Sequence, residues 1–208
     1  MKLYYSPAAC SLAPHIALEE LGLAYDLVRV DLRTHKLANG IDYYTINPKG
    51  YVPVLELDNG ERLTEAAVIL QYLADRKPGV LAPAYGTMER YRLNEWLHFI
   101  STEIHKQFGP LWHAETPDAT KATQRATLGK RFDFVAKALA KQPYLTGSAF
   151  TIADAYLFTV TNWSGTLNVD LTPWPALREY QARVAARPKV HAAMKAEHLV
   201  KDPASAPA

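Results

Sequence analysis

The stretch KLYYSPAACSLAPHIALEELG, residues 2–22, decides the fold of this chain. Lys2–Tyr5 predicts a β-strand, Ser6–Ala9 predicts a loop, and Ser11–Leu21 predicts a helix. The only cysteine, Cys10, therefore stands where the strand has ended and the helix begins. The free N–H groups and the positive dipole end of a helix start stabilise an anion. A lowered thiol pKa is thus one interpretation of Cys10, and a small, inert, buried residue is the other.

The composition is that of a globular chain close to charge balance. Hydrophobic residues make up 49% of the 208 positions, and the net charge of +2 is spread without a basic stripe. Nucleic acid is therefore not an expected partner. The longest apolar run, Ala66–Leu70, is too short for a membrane span, so no membrane contact is expected. A single cysteine cannot form an internal disulfide, which is typical of a reducing compartment, and we expect a cytoplasmic protein.

The residues after the first helix predict a small mixed sheet. Tyr25–Asp31 alternates in polarity and predicts a second strand. Val52–Leu57 and Arg62–Leu63 flank Asp58–Gly60, and Asn-Gly between two such runs is a strong hairpin signal. A loop and a short helical piece precede this hairpin, and Thr64–Glu65 opens a further helix. Strand, helix and strand suit a right-handed parallel crossover, to which the hairpin adds antiparallel strands. This is a thioredoxin-like layout.

The second part of the chain predicts helices only. Residues 77–87 are rich in Pro and Gly and predict a linker. The helical segments that follow are predicted at 88–112, 119–141, 152–164, 175–186 and 189–197. We therefore expect an α/β thioredoxin-like domain over 1–76, an all-α domain over 88–201, and a frayed tail over 202–208. Thr151 and Asp154 have the spacing of a capping box, for which we expect a structural role.

This combination of domains and motifs resembles the cytosolic glutathione S-transferases, and specifically the bacterial beta class. The segments that carry the resemblance are Met1–Pro7, Cys10–Ile16, Asn47–Gly50, Val52–Leu55, Leu63–Glu65, Gln71–Asp75, Glu95–Leu97, Glu103–Lys106 and Phe150–Phe158. The resemblance implies a homodimeric detoxification enzyme that adds the thiolate of glutathione, its co-substrate, to electrophilic, mostly apolar substrates. No metal cofactor is expected.

The resemblance also implies where glutathione binds. The bond between Val52 and Pro53 would be cis and would turn the Val52 N–H and C=O toward the bound tripeptide, as an added strand. From the residues alone, an ordinary trans proline at a strand start is the alternative. The helix start at Ala66 would hold the γ-glutamyl carboxylate, and Glu65 would take the γ-glutamyl ammonium. The alternative for Glu65 is an acid that suits the helix dipole.

Four side chains near the first helix compete to hold the glutathione thiolate, namely Tyr5, Ser6, Cys10 and Ser11. In the beta class the cysteine faces the glutathione sulfur, so the resemblance favours Cys10 as the catalytic residue over Tyr5. Core packing is the alternative for Tyr5, and an N-cap is the alternative for Ser11.

The first long helix of the second domain carries further candidates, His98, Thr102, Glu103, His105 and Lys106. The resemblance implies that this helix lines the active cleft. His105, as a catalytic residue, and Lys106 would favour the thiolate as positive or hydrogen-bonding groups. A solvated helix face is the alternative for both. Glu103 is expected to reach the glutathione of the partner subunit.

Two positions depart from the beta-class pattern. Where that class commonly has a lysine for the glycyl carboxylate of glutathione, this chain has His35, with Lys36 next to it, and His98 stands where the family often has asparagine. Histidine changes charge near physiological pH, so either residue would alter the affinity for glutathione or its pH dependence. The electrophile site is expected to be apolar, and its candidates, which at helical spacing also suit a core, are Phe108, Leu111, Trp112 and Trp163.

Two other functions stay open at this point. In one, Cys10 attacks a disulfide or peroxide and passes through a mixed disulfide with glutathione. That is the chemistry of a monothiol, glutaredoxin-like oxidoreductase or a peroxidase; the second position of a C-x-x-C motif is Ala13, so only a monothiol route is available. The other is a non-catalytic binding protein, since a fold does not fix a function.

Overall fold

The computed structural model describes residues 1–200; residues 201–208, with the predicted tail, lie outside the described part. A mixed sheet of five strands has the order β3-β2-β1-β4-β5. The strands are β1 Lys2–Tyr5, β2 Asp26–Asp31, β3 Lys36–Leu37, β4 Val54–Glu56 and β5 Arg62–Thr64. Helix α1, Leu12–Leu21, connects β1 to the parallel strand β2, whereas β4 is antiparallel to β1 and β5 to β4. The predicted crossover and hairpin are confirmed.

Strand β3 is a difference from the prediction, because Lys36 was expected in a loop. Its two residues return antiparallel along β2, with Leu37 opposite Val30 and Lys36 opposite Asp31. Two residues are too few to show the alternation that identifies a strand in a sequence.

At the hairpin between β4 and β5, the Leu57 N–H donates to the Glu61 carbonyl at 2.8 Å.

The remaining elements are helices, as predicted. They are α2 Ala66–Arg76, α3 Met88–Phe99, α4 Lys106–Phe108, α5 Asp118–Leu139, α6 Ile152–Thr161, α7 Trp163–Thr166, α8 Pro175–Ala185 and α9 Pro188–Ala196. The segment predicted as one helix over 88–112 is interrupted by a π-helical stretch at Ile100–His105 and ends in a 3-10 turn at Gly109–Trp112. Among residues 1–200, no helix combines the length and apolarity needed to cross a membrane.

The larger of two hydrophobic clusters runs through both halves of the molecule. Leu3 and Ile16 from the sheet-containing half belong to the same buried cluster as Leu97 and Phe158 from the helical half. Helix α1 packs against α2, α6 and α9, so the first helix of the chain touches the last described one. The two halves therefore pack directly against each other.

The predicted capping box at the start of α6 is confirmed. The Thr151 backbone N–H and hydroxyl donate to the Asp154 carboxylate at 2.9 and 2.8 Å, and the Leu145 N–H donates to its other oxygen at 2.9 Å. The Tyr180 hydroxyl donates to the Asp154 backbone carbonyl at 3.0 Å. Asp154 is fully buried. It therefore joins α6, α8 and the preceding loop, which is a structural role.

Candidate active site

A cavity of about 1420 Å³ lies between the loops of the sheet-containing half and the helices of the second half. Its walls come from the loop Ser6–Cys10, the segment 47–53, the start of α2, and several helices of the second half. Small-molecule pockets usually measure roughly 300–1,000 Å³. The cavity therefore has room for two ligands side by side.

The cavity brings together most of the predicted site. The predicted residues that line it are Cys10, His35, Val52, Pro53, Glu65, Ala66, His105, Lys106, Trp112 and Trp163. The predicted residues that are not among its lining are Tyr5, Lys36, His98, Thr102, Glu103, Phe108 and Leu111.

Cys10 carries a neutral thiol. Its Sγ donates a hydrogen bond to the Val52 carbonyl at 3.2 Å. The pKa of the Cys10 thiol is raised to about 12, mainly by desolvation and to a lesser extent by the Glu65 carboxylate, although the N–H groups of Cys10 and Ser11 act in the opposite direction. Helix α1 begins only at Leu12, so the anion-stabilising effect expected from the sequence is present but outweighed. The interpretation of Cys10 as a low-pKa thiol is wrong for this structure.

The peptide bond between Val52 and Pro53 is cis, as the resemblance implied. Both residues are buried and immediately precede β4. The segment before them is fixed because the Tyr51 carbonyl accepts hydrogen bonds from the Tyr43 hydroxyl at 2.9 Å and the Asn47 amide at 2.7 Å. The backbone of Val52 therefore stands at the cavity wall on a rigid support.

Glu65 lies at the cavity mouth, directly before α2. Its φ of 68° is in the left-handed region, which is costly for a residue other than glycine and is typical of functional sites. The side chain is 67% exposed and forms an ion pair with Lys49, whose ammonium also donates to the Thr64 hydroxyl at 2.9 Å. The carboxylate is therefore held beside the N-terminus of α2. Lys49 belongs to a motif quoted for the resemblance but was assigned no role.

His105 ends the π-helical stretch and carries a neutral imidazole. Its Nδ1 is hydrogen-bonded to the Tyr156 hydroxyl at 2.7 Å, and its ring packs edge-on against Trp163 with centroids 4.9 Å apart. Burial lowers the pKa of His105 to about 4, and the charge of Lys106 acts in the same direction. The expectation that His105 is positively charged is therefore wrong at neutral pH. The neutral imidazole can still form hydrogen bonds. Burial also raises the pKa of Tyr156, so its hydroxyl stays protonated.

Trp163 ties the loop before Cys10 to the helical half. Its indole N–H donates to the Ala8 carbonyl at 2.7 Å, and the Ala8 N–H donates to the Glu197 carboxylate at 3.1 Å. Ala8 has a φ of 62°, which is a strained conformation for a residue other than glycine. Both the N–H and the carbonyl of Ala8 are hydrogen-bonded, which stabilises this conformation. The other side of Trp163 meets Trp112 edge to face at 5.8 Å, and Trp112 is 48% exposed.

His35 lines the cavity as a stacked ring. Its imidazole lies 4.7 Å from the Tyr44 ring, and its backbone has a φ of 52°. A Cβ at Gly50, which has a φ of 71°, would lie 2.7 Å from Tyr44 and 3.2 Å from His35, so the close approach of this loop requires glycine. Lys36, the other predicted group here, is exposed on β3 and does not line the cavity.

Three predicted residues are core residues instead. Tyr5 is 8% exposed and its ring faces His15 at 6.4 Å. Phe108 and Leu111 are 0% and 7% exposed and belong to the main core cluster. One face of the helical segment 88–112 is buried on every turn, at Leu97, Ile104 and Phe108 among others, so a helical aromatic pattern alone does not separate cavity wall from core.

The other three occupy the outer side of the long helical segment. The Nδ1 of His98 is hydrogen-bonded to the Asn94 carbonyl at 2.8 Å, and the Thr102 hydroxyl donates to the His98 carbonyl at 3.0 Å. Glu103 forms an ion pair with Arg131 at 2.6 Å. None of the three lines the cavity of this chain.

Several lining residues were missed by sequence reasoning. Asn47, Lys49 and Tyr156 fall inside motifs quoted for the resemblance, so attention to their polarity would have found them. Gln124, on the second turn of α5, has no motif around it. Its place in the wall depends on how α5 packs and has no signal in the sequence.

The comparisons agree with this geometry. The model of the glutathione S-transferase N-terminal domain matches residues 8–76, and that of the C-terminal domain matches residues 99–188. These matches show that the chain belongs to the glutathione S-transferase family, as predicted. The thioredoxin-like sheet followed by helices, with a cavity between them, agrees with this. The chain is an enzyme of that family, a glutathione transferase.

Its similarity extends over nearly the whole chain. It is 47% identical over 201 residues to glutathione S-transferase GstA of Escherichia coli O157:H7, covering 96% of this chain and 100% of the relative. A glutathione S-transferase from a sphingomonad, solved with glutathione, is 46% identical with a TM-score of 0.92 and covers 96% of this chain and 100% of its own. The beta-class enzyme of Sphingomonas chungbukensis is 47% identical with the same coverage and a TM-score of 0.92. The beta-class resemblance is confirmed.

Proposed function

We propose that the cavity binds glutathione against the sheet-containing half and an electrophilic, largely aromatic substrate against the helical half. The enzyme then adds the glutathione thiolate to the electrophilic carbon. One observation carries this proposal: Cys10, the cis bond of Val52 and Pro53, and Glu65 at the start of α2 all line the same cavity.

The tripeptide pairs with the backbone of Val52. A peptide can add to an exposed strand edge through main-chain hydrogen bonds, and Val52 lies just outside the regular ladder of β4. The Val52 carbonyl has two lone pairs, one of which accepts the Cys10 thiol, so the other remains for a peptide N–H. This pairing brings the cysteinyl side chain of glutathione close to Cys10.

The γ-glutamyl end of glutathione carries one ammonium and one carboxylate. The ammonium pairs with Glu65, whose carboxylate Lys49 orients, and the carboxylate takes the free N–H groups at the start of α2, near Ala66. The glycyl carboxylate extends toward His35, which lines the same side of the cavity. Lys36 is not needed for this arrangement.

The thiolate is stabilised by neutral donors. The Cys10 S–H is one donor, because its pKa near 12 keeps it protonated; when glutathione binds, this single proton turns from the Val52 carbonyl to the thiolate. His105 is the second, in the tautomer in which Nδ1 accepts from the Tyr156 hydroxyl and Nε2 carries the proton. Hydrogen bonds to the charged form lower a pKa without any fixed positive charge. The electrophile then packs on Trp112 and Trp163 as the carbon–sulfur bond forms.

The test is turnover of glutathione with two substrates in parallel, a chloronitroaromatic compound and a mixed disulfide of glutathione. We expect conjugation to dominate, because a thiol with a pKa near 12 is a poor nucleophile for disulfide exchange or peroxide reduction at neutral pH. Exclusive turnover of the mixed disulfide would overturn the proposal in favour of an oxidoreductase, and glutathione binding without turnover of either would favour a binding protein.

We also propose a cytoplasmic homodimer made of a 1–76 domain and an 88–201 domain joined by 77–87. The single cysteine suits a reducing compartment. Glu103 and its partner Arg131 lie outside the cavity of their own chain, so Glu103 can act on glutathione only across a subunit interface. Light scattering at micromolar protein is expected to give twice the chain mass. A monomer that still turns over glutathione would contradict the dimer.

A further inference from the structure

Tyr156 is the tyrosine behind His105, and it belongs to a firmly held part of the molecule. Every residue of α6, which carries Tyr156, is buried, and the capping box of Thr151 and Asp154 fixes the start of this helix. Tyr156 is 2% exposed, and its ring meets the His105 ring edge to face with centroids 5.8 Å apart. The Tyr156 hydroxyl therefore stands at a fixed place, 2.7 Å from the Nδ1 of His105.

The position of the proton on His105 follows from the needs of this hydroxyl. A neutral imidazole carries one proton, either on Nδ1 or on Nε2. A proton on Nδ1 would be donated to the Tyr156 oxygen, and the proton of Tyr156 would then have to go to the Ser101 hydroxyl, the other polar group near it. Ser101 favours the ionised form of Tyr156, which is the effect of a donor to its oxygen and not of an acceptor. Because a buried donor without an acceptor costs free energy, Tyr156 donates to Nδ1, and the imidazole proton is on Nε2.

The Nε2 of His105 is accessible from the cavity. It has no hydrogen-bond partner among residues 1–200, and it is not one of their polar atoms that are shielded from solvent. His105 lines the cavity together with Cys10, and its ring is held between the Tyr156 hydroxyl and Trp163, whose ring centroid is 4.9 Å away. A proton on Nε2 is therefore available to an anion in the cavity. A proton on Nδ1 would leave Nε2 as an acceptor, which stabilises no thiolate.

We infer that Tyr156 is a positioning residue, which fixes His105 in the tautomer whose Nε2–H is directed toward the glutathione sulfur. This inference rests on the proposed function and assigns the group that makes His105 a donor. Tyr156 acts only through His105. Hydrogen bonds in a chain polarise one another, so donation to Nδ1 also strengthens the bond that Nε2–H forms.

The first measurement reads the tautomer itself, by nitrogen NMR of the ligand-free enzyme labelled at histidine. The signals of His105 are those that disappear in His105→Gln. A protonated ring nitrogen resonates far from an unprotonated one, and the couplings to the ring protons distinguish Nε2 from Nδ1. We expect the proton on Nε2 at neutral pH. A proton on Nδ1 would overturn the inference, whether or not variants of Tyr156 fold.

The second measurement uses Tyr156→Phe, which removes only the hydroxyl, and follows the thiol of bound glutathione. The ultraviolet absorbance of its thiolate, as a difference from ligand-free enzyme, gives the pKa of the bound thiol. We expect this pKa to rise by about half a unit to one unit, with about three- to tenfold less thiolate at neutral pH, because one hydrogen bond of ordinary strength is weakened or lost. The value of kcat/KM should fall by the same factor at neutral pH and recover at higher pH, which a purely structural defect would not do.

Two further variants show whether the effect passes through His105. In the His105→Gln background, Tyr156→Phe should not change the pKa of the bound thiol. The matched control Tyr180→Phe removes a buried hydroxyl that bonds to the Asp154 carbonyl outside the cavity, and it should keep the wild-type pKa of the bound thiol. An unchanged pKa in Tyr156→Phe, or an equal rise in the His105→Gln background, overturns the inference. A bound thiol that keeps the pKa of free glutathione in wild type overturns the proposed function instead, and the NMR measurement then still decides the tautomer.

Discussion

The reactivity of Cys10 separates two accounts of this enzyme. If the start of α1 governed the thiol, its pKa would be low and alkylation would be fast at neutral pH. The structure has the thiol partly buried and donating to the Val52 carbonyl, with a pKa near 12. We therefore predict that the ligand-free enzyme is alkylated slowly at pH 7 and that the rate keeps rising with pH.

The size of the effect follows from the ionised fraction. An ordinary cysteine of pKa 8.5 is about 3% thiolate at pH 7, and a thiol of pKa about 12 is about one part in 10⁵. The fraction of thiolate on Cys10 is thus about 3,000-fold smaller. A more basic thiolate is also more nucleophilic. With a Brønsted coefficient of about 0.45, the higher pKa increases the rate constant of the thiolate roughly 40-fold, which offsets part of the smaller ionised fraction. Alkylation of Cys10 should therefore be about a hundredfold slower than that of an unstructured cysteine peptide.

The assay is modification by iodoacetamide, followed by intact mass from pH 7 to pH 10. The expected rate increases about tenfold per pH unit without levelling off, because the thiol is far from half-ionised throughout this range. Cys10→Ala, which removes the only cysteine, is the control and should gain no mass. A rate that reaches a plateau below pH 8.5, or that exceeds the rate of the peptide at pH 7, would refute the reasoning.

The same variant tests the catalytic role of Cys10. Cys10→Ala removes one neutral donor to the glutathione thiolate and leaves His105, so substantial conjugation should persist while any thiol transfer disappears. Loss of conjugation in a variant that still binds glutathione would show that Cys10 is indispensable to both reactions.

Three further predictions follow from the remaining contacts. Asp154→Ala should lower the free energy of unfolding, measured with urea, by about 0.5–2 kcal/mol for the lost cap and by about 1–3 kcal/mol more for the buried Leu145 N–H left unpaired. Activity per folded molecule should stay near wild type, and unchanged stability with lost activity would contradict a structural role. Glu65→Ala should weaken glutathione binding roughly ten- to a hundredfold in calorimetry, since a charged hydrogen bond contributes about 1.5–3 kcal/mol. The control Glu61→Ala, on the exposed hairpin, should leave binding unchanged. A dissociation constant of Glu65→Ala within twofold of wild type would exclude the role of Glu65 in binding the ammonium. The pKa of His105 is lower in the folded than in the unfolded protein, so the unfolded chain binds more protons between pH 6.5 and about 4. The free energy of unfolding should therefore fall on acidification through that window, by at most about 1.4 kcal/mol per pH unit, and should fall less in His105→Gln. Equal pH profiles of stability for the two proteins would disprove this prediction.

The fold was predictable because its signals are local. The Asn-Gly turn, the strand–helix transition after Tyr5 and the box at Thr151 and Asp154 each depend on residues a few positions apart. The π-helical stretch at Ile100–His105 was not predictable, since its residues have ordinary helical preferences and the distortion depends on tertiary packing. The boundaries of helices were accordingly better predicted than their internal geometry.

Which residues line the cavity was predictable only in part, since Tyr5, Phe108 and Leu111 lie in the core instead, and their chemistry was less predictable still. Cys10 and His105 were found by their positions, but their charge states depend on how deeply the two halves of the molecule bury them, and neither burial can be read from neighbours in the sequence. The same applies to Phe108 and Trp112, which are four residues apart and yet lie in the core and at the cavity wall. Sequence therefore identified candidate side chains, and packing decided their protonation and their direction.

In the proposed mechanism, the two neutral donors to the glutathione thiolate, Cys10 and His105, have a common physical cause. A partly buried imidazole and a partly buried thiol both lose their charged forms to desolvation, and each then keeps a proton that it can donate. A fixed positive charge in the same place would hold glutathione as an ion pair before reaction and would have to be desolvated with it. Neutral donors instead stabilise the thiolate by directed hydrogen bonds and leave its charge free to move to the electrophile as the new bond forms. In that mechanism, the desolvation that makes Cys10 a poor nucleophile is the property that lets it, with His105, assist the nucleophile of another molecule.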